Sequence, residues 1–114
     1  MDRAQELAGT FDRRQAQRCQ VVLASRVESP LRSRVAVTRD ISRTGAMLLA
    51  AGRYRQGDLI ELAVLPLRSD AEIHVRGRVM RTEPSTVGGP WRSCLAVRFD
   101  DPLPVEDAQL LGTP

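Results

Sequence analysis

Two stretches of this chain combine residue types and spacing that could do chemistry: Arg14-Gln15-Ala16-Gln17-Arg18, and Asp40-Ile41-Ser42-Arg43-Thr44-Gly45 about twenty residues later. As patterns they read RxxxR and DxSxxG. The first supplies two forked, permanently charged guanidiniums, which pair with phosphate or with the acceptor edge of guanine. The second supplies a carboxylate, a hydroxyl and a side-chain-free backbone position within six residues. A carboxylate accepts hydrogen bonds only, so it suits the N1–H and exocyclic amine of guanine. Together the two stretches suit a small molecule that carries both phosphate and guanine.

The elements that must hold these residues are short and apolar. Val21-Val22-Leu23-Ala24 reads as a buried strand, with Glu28-Ser29-Pro30 as the turn after it. Arg34 to Thr38 alternates with period two and runs straight into Asp40. After Gly45, Ala46 to Ala50 reads as another strand, although so short a run also fits a helical turn. Gln56-Gly57-Asp58 is a turn signal before Leu59 to Leu65, which Pro66 ends. Ile73 to Arg81 shows the cleanest alternation, with Ile73, Val75, Gly77 and Val79 on one face; Gly77 there signals a bulge or a close approach. Ser93 to Phe99 turns Leu95, Val97 and Phe99 inward, and Pro104 to Gly112 reads as a short closing helix. Six short strands separated by turns predict a mainly all-β protein, a closed antiparallel barrel. With four aromatic residues in 114, the core must be built mainly of Val, Leu and Ile.

Charge is divided unevenly along the chain. Residues 13 to 55 carry ten Arg against Glu28 and Asp40, a local balance of +8, whereas residues 56 to 114 carry six Arg against nine acids. Both motifs lie in the basic half, as a polyanionic ligand requires. All seventeen basic residues are Arg, which codon bias in a GC-rich genome explains, so this usage is not evidence of recognition. The longest apolar run, Ala46 to Ala51, is too short to span a bilayer. Asp2 and Glu6, with no apolar run behind them, read against a secretory signal. A cytoplasmic setting with Cys19 and Cys94 as reduced thiols is the expectation. Two Cys and one His make no metal-ligand set, and no metal or cofactor is expected.

At this point the chain resembles the PilZ domain, a bacterial receptor module for cyclic di-GMP. The resemblance rests on Arg13-Arg14-Gln15-Ala16-Gln17-Arg18 before the first strand, Asp40 to Gly45 between the second and third, and Gly77-Arg78-Val79 in a later strand. Either motif alone is weak; both in order and flanked by strands are a strong signal. The resemblance covers roughly residues 11 to 102. It implies a six-stranded antiparallel barrel with a short C-terminal helix and a flexible N-terminal arm. Residues 1–12 would be a flexible segment, 13–102 the barrel domain with its RxxxR arm, and 103–114 the helix and tail. Cyclic di-GMP would be held by Arg13, Arg14 and Arg18 on the arm and by Asp40, Ser42 and Gly45 on the barrel. Ser42 would hydrogen-bond a phosphate oxygen or the amine, and Gly45 would permit close backbone approach and a turn with positive φ. Arg13, directly before the pattern, tilts the expectation from one ligand molecule to an intercalated pair.

The implied function is non-catalytic: a receptor that changes conformation on binding the nucleotide and signals to an unnamed partner protein. A ligand-independent protein–protein adaptor is the alternative, and a basic barrel for single-stranded nucleic acid a third. The scarcity of aromatic stacking platforms counts against the third. No Ser-His-Asp or Cys-His pairing is assignable, and His74, the single histidine, reads as a partly exposed surface residue rather than a base or ligand. Arg43 fits either a pocket charge or an exposed loop, Arg76, Arg78 and Arg81 either an extension of the basic surface or an ordinary solvated strand face, and Trp91 either a barrel end or a partner contact.

Overall fold

The computed structural model describes residues 22–112. Strands β1 (Ala24–Ser29), β2 (Arg32–Ile41), β3 (Gly45–Ala50), β4 (Leu59–Val64), β5 (Ile73–Pro84) and β6 (Ser93–Phe99) precede one helix, α1 (Val105–Leu110). They close an antiparallel barrel in the order β1-β2-β3-β6-β5-β4. Closure leaves no long sheet edge for a second chain to pair with. The core is aliphatic as expected: Leu23, Val27, Ile41, Leu48, Leu62, Val64, Val79 and Leu95 are fully buried, and among the described residues only Tyr54 and Phe99 add aromatic rings. Leu103, Ala108 and Leu111 carry the C-terminal segment and α1 onto this core. Among the described residues, no helix is long and apolar enough to cross a membrane.

The first strand lies later than its apolar run suggests. Val22 is 70% exposed, while Leu23 is buried and β1 begins at Ala24; Val21 is outside the described residues. Glu28 and Ser29, expected in the turn, still pair with Ser33 and Arg32, so only Pro30 and Leu31 turn the chain. Proline at the first turning position supplies the fixed φ that such a turn needs. Two-sided pairing overrides local turn signals here, because Glu28 also pairs with Glu61 of β4.

Two bulges interrupt the pairing at positions that nothing in the local sequence marks. The β2–β3 register steps from Thr38–Leu48 to Asp40–Met47, which leaves Arg39 as an extra residue. The β5–β6 register steps from Val79–Val97 to Arg81–Ala96, which leaves Met80 extra. Gly77, the residue that suggested a bulge, instead marks a close approach. A Cβ built on it would lie 2.7 Å from the Arg98 carbonyl oxygen and 2.9 Å from a Val97 methyl. Gly77→Ala is therefore expected to destabilise the fold by about 1–3 kcal/mol in urea titrations. Gly88→Ala, where no atom stands within 4 Å of the new Cβ, should leave the midpoint unchanged.

Candidate functional site

Asp40 sits where the β2 bulge re-aims the strand. Thr38 and Ile41 on either side are buried in the barrel, whereas Asp40 is half-buried on the outer face. Cross-strand register carries a single row outward from it: Asp40, Met47 on β3, Ala96 on β6 and Arg81 on β5. At the usual spacing of neighbouring strands this row spans roughly 14–15 Å. Each end of it adjoins a bulge, Arg39 at one and Met80 at the other. Between an acidic and a basic end lies a floor of Met47 and Ala96, with Met80 beside it. The next outward row is Leu49 and Cys94, ending at Glu83. Leu49 is buried yet stands outside the core cluster, so the apolar character of this face continues past the first row. Burial pushes the Cys94 thiol up from its ordinary value; the nearby Arg39 and Arg81 pull against that rise, and Glu83 and Asp40 add to it.

The Asp40 to Gly45 motif divides into one outward group and two that shape the turn. Ser42 is 0% exposed. Its Oγ accepts hydrogen bonds from the Thr44 and Gly45 backbone N–H groups, each at 3.2 Å, while the Ser42 N–H donates to the Gly45 carbonyl at 2.8 Å. The hydroxyl thus organises the β2–β3 turn from inside. Gly45 is demanded by close approach: a Cβ there would run into the Val97 carbonyl oxygen of β6. The anticipated positive φ is not used, since the glycines in that region are Gly57, Gly89 and Gly112. Arg43 is neither a pocket charge nor a free loop residue. Its Nε donates to the Leu103 carbonyl at 3.0 Å, and the Leu103 N–H returns a bond to the Arg43 carbonyl at 2.8 Å, fastening the turn to the segment before α1.

The root of the N-terminal segment lies beside this face. The Leu23 N–H donates to Thr38 Oγ1 at 2.9 Å and the Thr38 N–H to the Leu23 carbonyl at 3.1 Å, two residues before Asp40. Arg13, Arg14 and Arg18 themselves lie outside the described residues, as do Phe11 and Cys19.

Glu28, Glu61 and His74 meet on the opposite side of the barrel, a convergence that sequence reading missed because it is created by strand register. A cleft of about 400 Å³ beside them is lined by Glu28, Ser29, Pro30, Leu59, Ile60, Glu61, Arg76, Gly77 and Asp100. This cleft lies away from the Asp40 row, whose outer face is open to solvent.

Removing the Ser42 hydroxyl strands two backbone donors at the turn. Ser42→Ala is expected to cost about 1–3 kcal/mol in denaturant unfolding, with Thr44 and Gly45 amide exchange accelerated.

Comparison with known proteins agrees with this architecture. The family model described as "PilZ domain" matches residues 12–113. Among solved structures, Bacillus subtilis Inhibitor of motility (MotI/DgrA) superposes with a TM-score of 0.65 at 19% identity, covering 87% of this chain and 47% of that one. The chain thus spans about half the length of that protein, and the likeness is one of fold. A search of curated proteins finds no match. Sequence match over nearly the whole chain and a closed barrel of the same form agree: the chain belongs to the PilZ domain family, whose domains are generally non-catalytic receptor or adaptor modules.

Proposed function

We propose that this protein is a non-catalytic receptor for cyclic di-GMP, binding it on the outer face that runs from Asp40 to Arg81. The observation that carries this reading is the row itself, with a carboxylate at one end, an arginine at the other and an apolar floor between. A purine can stack on Met47 and Ala96 while Asp40 accepts from the guanine N1–H and amine. Adenine lacks those donors, so the carboxylate discriminates between the two bases. Ser42 and Gly45 act by holding the turn that positions Asp40, rather than through their own atoms.

An open face needs a second wall, which the RxxxR segment can supply. Arg18 stands five residues before Leu23, within about 17 Å of extended chain, and Leu23 is anchored beside Thr38. Closure of Arg13, Arg14 and Arg18 onto the nucleotide, one molecule or an intercalated pair, would alter the surface offered to a partner protein. The adaptor alternative draws on one specific observation. The fold alone accounts for Ser42 and Gly45, so their presence does not require a ligand.

Calorimetric titration with cyclic di-GMP separates the two. Binding is expected for the parent chain, and Arg14→Ala and Arg18→Ala should each abolish it without changing the circular dichroism spectrum. Unchanged affinity in both variants would remove the receptor reading. Cys94 offers an independent probe in a Cys19→Ser background. Its raised pKa means slow alkylation at neutral pH that accelerates as pH climbs. Saturating cyclic di-GMP should slow labelling at any fixed pH, whereas a ligand-blind adaptor shows no protection.

A further inference from the structure

The outer face of β1, β4 and β5 carries a cluster that takes no part in the site above. Register sets Glu28 of β1 directly opposite Glu61 of β4, with His74 of β5 one row along, across from Ala63. Like charges placed directly opposite on a sheet repel, a cost that neighbouring cations offset only in part. Arg76, in register with Glu61, forms no ion pair with it among the described residues; beside Glu61 stands the imidazole of His74, its Nδ1 3.6 Å from Glu61 Oε1. Arg26 forms ion pairs with both Glu72, at 2.8 Å, and Glu28, at 3.6 Å, and none with Glu61 among the described residues.

We propose that Glu28, Glu61 and His74 form a binding site for a divalent transition-metal ion of the zinc class. One ligand atom from each of the three residues already falls within 4.8 Å of the others. Zinc bonds of 2.0–2.2 Å in tetrahedral geometry place ligand atoms about 3.3–3.5 Å apart, so the His74–Glu61 separation needs almost no adjustment and Glu28 needs a small one. The two imidazole nitrogens have separate tasks. Nδ1 faces Glu61, while Nε2 faces Glu72 Oε1 at 3.5 Å, and Arg26 holds that carboxylate in turn. A carboxylate behind the far nitrogen is the arrangement that orients a metal-bound imidazole and fixes its tautomer. The 400 Å³ cleft lined by Glu28 and Glu61 gives the ion access and leaves room for water in the remaining coordination position. The imidazole selects against magnesium and calcium, which prefer all-oxygen shells. The site is independent of the nucleotide reading.

The test is a calorimetric titration of the full chain, carrying Cys19→Ser and Cys94→Ser to remove thiol ligands, with zinc chloride in chelator-free buffer. One-site binding is expected, with no heat from magnesium. His74→Ala and Glu61→Gln should each weaken zinc by more than about tenfold, and Glu72→Gln by about tenfold, each with an unchanged circular dichroism spectrum. In the native chain, zinc should shift the His74 imidazole nitrogen resonances, a readout that does not depend on how the cysteine variants fold. No binding at millimolar zinc, or the same affinity in His74→Ala as in its parent, overturns the proposal, as does an unshifted His74 ring.

Discussion

Strand β6 is squeezed at Val97 and Arg98 between two glycines, and this pinch governs the working half of the barrel. Gly45 of β3 lies against the Val97 carbonyl and Gly77 of β5 against the Arg98 carbonyl. Neither neighbour has room for a methyl group, so all three backbones run unusually close at this level. Two residues along β3 and β6 from the Gly45–Arg98 pair stand Met47 and Ala96, and the bulges at Arg39 and Met80 flank that level on the outer strands. An inserted residue bends its strand and sharpens its twist. Tight pairing in the middle with bulges at both sides therefore curves the face and aims Asp40 and Arg81 outward from its ends. Ser42 completes the device from within the barrel, holding the turn that delivers Gly45 to β6.

How much of this was legible in the sequence depends on whether a feature is local or shared between strands. Alternation in Ile73 to Val79 and in Leu95 to Phe99 reported the inward faces correctly, because burial of every second side chain writes itself into one strand. Pro66 and Gln56-Gly57-Asp58 marked ends for the same local reason. Bulges at Arg39 and Met80 left no such mark, since an extra residue is defined only against the partner strand. The inward turn of Ser42 was hidden likewise. A hydroxyl that caps its own turn and one that greets a ligand look alike in sequence, and the bulge decides which way each neighbour points. Glu28, Glu61 and His74 are the extreme case: residues far apart in the chain become neighbours only through the β1–β4 and β4–β5 registers. Arg43 is ambiguous in the sequence because the carbonyl it satisfies, that of Leu103, lies 60 residues further along the chain.

The barrel also separates its charges in space. Three acids of the later half, Glu61, Glu72 and Asp100, stand with Glu28 on the β1–β4–β5 side. The face over β2, β3 and β6 carries Asp40, with Glu83 at its β5 edge, against Arg39, Arg81 and Arg98. A polyanion approaching at ordinary ionic strength feels charges only within about 8–10 Å, which is less than the width of the barrel. The acidic side therefore does little to repel it, and the local sign of the β2–β3–β6 face matters more than the net +3 of the chain.

Binding on the outside of a barrel places a severe demand on each contact. An exposed ion pair contributes about 0–1 kcal/mol, whereas micromolar affinity requires about 8 kcal/mol. Three arginines and one aspartate acting as simple exposed pairs fall well short of that. The deficit shrinks only if water is excluded from both sides of the nucleotide, so that the same hydrogen bonds form in a less screened setting. Met47 and Ala96 can exclude it from below. Among the described residues nothing excludes it from above, so the proposed receptor reading requires a second covering surface as well as charge. Guanidiniums suit that double duty better than ammoniums, because a planar, weakly hydrated group can cover a purine face and grip a phosphate at once.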